Sequence, residues 1–252
     1  MKISEEIRMR RKEYFAHATF SEKVKYLLDY YGLMTFGILL ALGIIVFGIL
    51  EITTAPEDIL NGAFINVPQL GETYVTEQLQ EDFMKAQEID TSKYTVNFSD
   101  NLIISSSDLE TTSTTHQVLM VQMSGGKVDF IVSSPDNLMT YAYDDILVDL
   151  TTVLTEEQIE KYKPYFLYVD AEIIRQRAND QSQTLEDFAD YVYPDPSKPE
   201  DMKDPIPVFI DFSQNERIQE MYSAKKLNVS FAIVVSGNYK DNAVKFLDFI
   251  MK

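Results

Sequence analysis

From Tyr31 to Leu50 the chain reads YGLMTFGILLALGIIVFGIL, a run with no charged side chain in which twelve residues are Leu, Ile, Val or Phe. Twenty helical residues rise about 30 Å, the thickness of a bilayer's hydrocarbon core, so the run predicts a transmembrane helix. Gly32, Gly37, Gly43 and Gly48 weaken the apolar sum without reversing it, because each large apolar side chain favours insertion by roughly 0.3 to 0.6 kcal/mol. Ahead of the run, Val24, Leu27, Leu28 and Tyr31 recur at i, i+3, i+4 and i+7 and predict a helix with one apolar stripe. Tyr26, Tyr30 and Tyr31 fall at headgroup depth, where amphipathic rings are favoured. Gly37 and Ala41 form one small-xxx-small pair.

Beyond the span, short apolar runs alternate with helical patterns. Ala63–Val67, Tyr94–Phe98, Val128–Val132, Ile206–Phe212 and Phe231–Val235 predict strands, and the third is apolar on both faces, as in a sheet covered by helices. Helices are predicted over Val75–Gln87, around Gln117–Met123 and Leu138–Tyr143, and over Glu156–Tyr162 with Thr155 as cap. A further one lies between Asp170 and Asp190. The last carries Ala243, Phe246, Leu247 and Ile250 on one face. Such alternation predicts an α/β domain with a mostly parallel sheet.

Charge gives the arrangement a direction. Residues 1–30 hold seven Lys or Arg, which leaves 15 basic against 35 acidic residues after position 30. The positive-inside rule then predicts a cytoplasmic segment 1–30, a single span 31–50 through the plasma membrane, a linker 51–62 and an extracytoplasmic domain 63–252. Pro56 after Ala55 disfavours signal-peptidase cleavage, so the span is expected to stay as an anchor. An outer domain this acidic repels nucleic acid, which excludes it as a partner. The chain has no cysteine, which removes disulfides, thiol catalysis and cysteine-held metals.

Three stretches carry a resemblance. Gly126–Ser134 (GKVDFIVSS), Leu138–Leu154 (LMTYAYDDILVDLTTVL) and Phe231–Ile250 (FAIVVSGNYKDNAVKFLDFI) resemble, in order and spacing, extracellular solute-binding proteins of the type II periplasmic-binding class. Phe20–Tyr31 resembles the juxtamembrane segment of membrane-anchored Gram-positive proteins. The resemblance implies a binding-protein-like α/β domain, a small polar ligand, and an ABC permease or another membrane protein as partner. Only Asp149–Lys198 is available for a second lobe, which implies a reduced one. That shortage leaves a second function open: a degenerate binding fold that contacts a membrane protein and holds no metabolite.

Candidate ligand residues follow from the rule that open α/β sheets bind beyond the carboxyl ends of their strands. It selects Gln69, Gly71, Glu72 and Thr73 after the first strand, Ser99, Asp100 and Asn101 after the second, and Ser133, Ser134, Asp136 and Asn137 after the third. Turn formation and helix capping explain the same residue types. Catalysis finds little material. Ser124–Lys127 and Ser223–Lys226 fit S-x-x-K and Ser99–Asn101 spells S-D-N, but the order is reversed and no K-T-G exists. His116 is the one histidine outside, so a histidine triad or zinc site is not expected. Asp195, Glu200, Asp201 and Asp204 lack EF-hand spacing and read as a solvated turn. Neither enzyme chemistry nor a cofactor is expected.

Overall fold

One helix, α1 (Phe20–Thr54), carries both the apolar stripe and the long apolar run in a computed structural model of the chain. The residues described are 8–9, 12–13, 15–67, 75–179, 192–221 and 228–252, and for 27, 30, 31, 33, 35, 49–54 and 75 the backbone alone. Thr19 and Glu22 start α1 with a reciprocal cap: the Glu22 carboxylate accepts from the Thr19 N–H at 2.8 Å, and the Thr19 hydroxyl accepts from the Glu22 N–H at 3.4 Å. Among the described residues no helix is long and apolar enough to cross a membrane. The expected span 31–50 includes five side chains outside that description, at 31, 33, 35, 49 and 50.

The chain divides into two units, Met1–Ala55 and Pro56–Lys252. The second unit is built on one six-stranded sheet, β1 (Glu57–Ile65), β2 (Tyr94–Leu102), β3 (Phe130–Ser133), β4 (Phe166–Asp170), β5 (Pro205–Asp211) and β6 (Ser230–Ile233), in the order β2-β1-β3-β6-β5-β4. The helices are α2 (Val75–Ala86), α3 (Leu109–Ser124), α4 (Pro135–Tyr143), α5 (Glu156–Tyr162), α6 (Ala171–Asn179), α7 (Glu216–Met221) and α8 (Lys240–Ile250).

The sheet is mixed, not mostly parallel. β1 pairs parallel with β2 and β3, whereas β3–β6, β6–β5 and β5–β4 are antiparallel. An apolar run reports burial on both faces and carries no information about strand direction, which is why the expectation failed. Residues 149–198 build no separate lobe among the described residues. They supply β4, which joins the same sheet beside β5, together with α5 and α6. The expected linker 51–62 is also shorter than proposed: α1 runs to Thr54, and β1 begins at Glu57, where Glu57 and Asp58 pair with Tyr94 and Thr95. Backbone pairing and the buried Leu60 outweigh the low strand propensity of the two acids.

Alternation along the strands divides the core. Phe64, Phe98, Phe130 and Phe231 face one side with Leu79 and Phe83 of α2 and Phe246 and Leu247 of α8. Ala63, Ile65, Ile131 and Phe209 face the other with Leu119 and Met123 of α3 and Leu138 and Tyr141 of α4. Phe130 stacks on Phe246 with ring centroids 4.6 Å apart, and Phe64 and Phe98 meet the Phe130 ring edge-on. Each such buried ring contributes roughly 1.5–3 kcal/mol of transfer free energy. The closing helix has the expected face: Ala243, Phe246, Leu247 and Ile250 are all buried.

Candidate functional site

Two of the resembling stretches are locked onto each other by side chains that therefore serve structure. Asp129 is fully buried. One carboxylate oxygen accepts from the Asn61 N–H of β1 at 2.7 Å and the other from the Tyr239 N–H at the start of α8 at 2.8 Å. Asn238 donates its amide to the Gly126 carbonyl at 2.9 Å, and the Ser236 hydroxyl donates to the Met123 carbonyl at 2.5 Å. Gly237 is required where it stands, because a Cβ there would lie 2.8 Å from the Asp129 Cα.

β3 ends at Ser133, and the chain turns into α4. The buried Ser133 hydroxyl accepts from the Asn137 amide at 3.1 Å, and its carbonyl accepts from the Ser230 hydroxyl at 3.1 Å. Ser134 caps α4 by accepting the Asn137 N–H at 3.4 Å, and Pro135 occupies the first turn, where its missing N–H costs nothing. Three of the four expected residues here are thus engaged in shaping the turn. Asp136 is exposed and faces a cleft.

That cleft has a volume of about 660 Å³ and lies beyond the carboxyl ends of β3 and β5. Asp136, Met139 and Thr140 of α4 form one wall, Leu167 of β4 and the segment Tyr193–Ser197 another, and Asp211 and Asn228 complete it. Among the described residues no lysine or arginine lines it. Asp211 accepts from the Ser213 N–H at 2.7 Å and hydroxyl at 2.9 Å. Asp195 accepts from the Ser197 hydroxyl at 2.7 Å and N–H at 3.0 Å and pairs with Lys198 at 3.4 Å. The Ser197 hydroxyl, the Ser197 N–H and then Lys198 hold the Asp195 carboxyl below its ordinary value.

A second layer holds the cleft wall. The Tyr193 ring stacks on Tyr143 at 4.2 Å and 12°, and its hydroxyl accepts from the guanidinium of Arg177. The Arg177 side chain is 3% exposed and forms an ion pair with Asp144 at the end of α4. The Tyr143 hydroxyl accepts from the Asp170 N–H at 3.3 Å. Burial raises the Asp170 carboxyl, but the N–H groups of Lys203, Glu172 and Asp204 outweigh it and leave the group below its usual value. His116 of α3 hydrogen-bonds the Tyr141 hydroxyl of α4, and burial lowers the imidazole and raises the phenol.

Ser99, Asp100 and Asn101 are not brought to this cleft. They belong to β2, which runs on to Leu102 at the far edge of the sheet. Asp100 accepts from the Thr76 hydroxyl at 2.6 Å, and Ser99 donates to Asn101 at 2.9 Å. Gln69, Gly71, Glu72 and Thr73 lie outside the described residues, as does Ser223–Lys226. Ser124 ends α3 and does not open a helix. In the acidic loop Asp204 pairs with Arg175 at 2.7 Å, and no cluster able to hold a metal ion occurs among the described residues. Tyr193, Asp211, Asn228 and Arg177 escaped the sequence reading. For Asp211 a signal existed: the strand-end rule, applied to Ile206–Phe212, selects it.

No protein-family model matches the sequence, and no curated protein matches it. Two solved structures are similar to it. One is an ABC substrate-binding protein of Listeria monocytogenes in complex with cycloalternan, at 18% identity and a TM-score of 0.25, over 44% of this chain and 29% of that one. The chain therefore spans less than a third of that protein. The other is a substrate-binding domain described as belonging to a molybdenum ABC transporter of Clostridium difficile, at 10% identity and a TM-score of 0.33, over 78% of this chain and 93% of that one. At such scores neither likeness bears on ligand or partner.

Proposed function

We propose that the chain is a solute-binding-protein-like receptor, tethered to the plasma membrane by α1, whose outer domain holds a small polar ligand without chemical turnover and hands it to an ABC permease. The observation that carries this reading is the cleft of about 660 Å³ beyond the carboxyl ends of β3 and β5, within the size range of small-molecule sites. Its wall is prearranged by the Tyr143–Tyr193–Arg177–Asp144 layer, which lowers the ordering cost of binding. The tether is supported by α1, in which every Leu, Ile, Val and Phe from Phe36 to Phe47 is 51–67% exposed. A helix apolar on all sides suits hydrocarbon better than water. Titrating the purified chain in detergent with panels of sugars, amino acids, peptides and amines tests the reading. A saturable rise in unfolding temperature with one panel supports it, and no rise with any panel refutes it.

One observation favours the other reading, a module that contacts a membrane protein. α3 carries a single charge, Glu110, on an otherwise acidic domain, and Leu109, Val118, Met120 and Val121 are exposed along it. A photo-crosslinker at Val121 that captures a membrane protein in cells, while no panel binds, would move the assignment to that reading.

A further inference from the structure

Resting on the cleft as the binding site, we infer that its ligand is an organic cation: an ammonium or guanidinium group on a partly apolar body. The lining chemistry speaks against an anion and against a bare metal ion. An anion would meet Asp136, Asp195 and Asp211 and, among the described lining residues, no lysine or arginine. The α4 N-terminus, which would otherwise favour an anion, already carries Asp136 in its first turn and is capped by Ser134. Among the described residues Asp136 and Asp211 take part in no ion pair, while Asp195 is paired with Lys198. A bare metal ion is a poor match because no group of acidic side chains converges on one point among the described residues. Beside the carboxylates and the polar Thr140, Ser197 and Asn228, the walls include apolar and aromatic surface: Pro135, Met139, Leu167, and Tyr193, which stacks on Tyr143 and is hydrogen-bonded by Arg177. A ring held in that way offers a platform for the body of an amine or for its charge. A cleft that offers both carboxylates and apolar surface matches a molecule that carries positive charge on a methylene body.

The test uses the full chain in lipid nanodiscs and isothermal titration with spermidine and agmatine as cations, maltose as neutral solute and citrate as anion. One-to-one binding of a cation is expected, weakening about tenfold between low and moderate salt as the charges are screened. Asp136→Asn and Asp211→Asn should each weaken it about tenfold, and Glu81→Gln, on the exposed side of α2, should leave it unchanged. Binding insensitive to Asp136→Asn and Asp211→Asn, or weakened equally by Glu81→Gln, would mean diffuse attraction to an acidic surface and overturn the inference. Saturable binding of maltose or citrate, with none of a cation, would overturn the ligand class and leave the binding-site reading standing. Silence from all four probes, together with silence from the wider panels, would remove both.

Discussion

Replacing Asp129 by asparagine exchanges one oxygen for an NH₂ group and removes a charge at the junction of β1, β3 and α8, and the structure sets the size of the effect. The carboxylate accepts from two backbone N–H groups, Asn61 at 2.7 Å and Tyr239 at 2.8 Å, and the residue is 0% exposed. An amide offers one oxygen, so one N–H is still served while the other faces an NH₂ donor. Loss of one charge-assisted bond costs about 1.5–3 kcal/mol, and an orphaned buried N–H about 1–3 kcal/mol more. The sum is roughly 2.5–6 kcal/mol, a large share of the 5–15 kcal/mol by which domains are usually stable. For a domain of this size that lowers the unfolding midpoint by roughly 10 °C. Urea and thermal unfolding of the Pro56–Lys252 unit, followed by far-UV circular dichroism, give the measurement. Asp136→Asn, at an exposed position, serves as control and should shift stability by less than about 0.5 kcal/mol. A loss under about 1 kcal/mol for Asp129→Asn would show that the buried carboxylate does not hold the junction, and its place in the resembling motif would need another explanation.

The remaining predictions probe the core, the acid limb and the cleft wall. Gly62→Ala would place a methyl 2.2 Å from the Phe130 Cζ, against a ring already enclosed by Phe64, Phe98, Phe231 and Phe246. It should cost about 1–3 kcal/mol in urea unfolding, and Phe130→Leu in the same chain should recover part of that; an unchanged midpoint refutes the packing. The Asp170 carboxyl is lower in the folded state than its unfolded value of about 3.9, so its stabilisation is present above that value and lost as pH falls through the folded one. Asp170→Asn should therefore be less stable at pH 7 and flatten the loss of stability below about pH 4. An equally steep acid limb in the variant would count against it. Arg177→Lys removes the guanidinium that reaches both Tyr193 and Asp144, and should weaken ligand binding several-fold by loosening the ring. Unchanged affinity in a calorimetric titration would show that the layer behind the cleft does not position its wall.

Local signals in the sequence were faithful where one segment decides its own structure. Thr155 caps α5 as expected, with Gln158 closing a capping box, and the 3.6-residue period of α8 buries the face it marks. α3 starts earlier than its apolar residues suggest, at Leu109, because Asp108 caps it by accepting from the Thr111 N–H and because Thr115 is buried beside Leu119. Tertiary packing there overrides the modest helix propensity of a Ser/Thr run. β4 went unread: Phe166–Asp170 is five residues long, and its pairing with β5, some forty positions later, makes it a strand. Strand direction was illegible for the same reason. In the site, Asp136 could be found because it follows a strand, whereas Tyr193, Arg177 and Asp144 act together only once α4, α6 and the 192–197 segment have packed. A buried arginine looks like any other arginine in one dimension.

The proposed topology puts the cleft outside the cell on a chain anchored through α1, and the absence of native cysteine makes it directly measurable. Thr140→Cys places one thiol at the cleft, and Lys12→Cys places one on the basic segment. With a membrane-impermeant maleimide on intact cells, the account predicts labelling at position 140 and none at position 12 until the cells are permeabilised. Labelling at 12 with protection at 140 would contradict it.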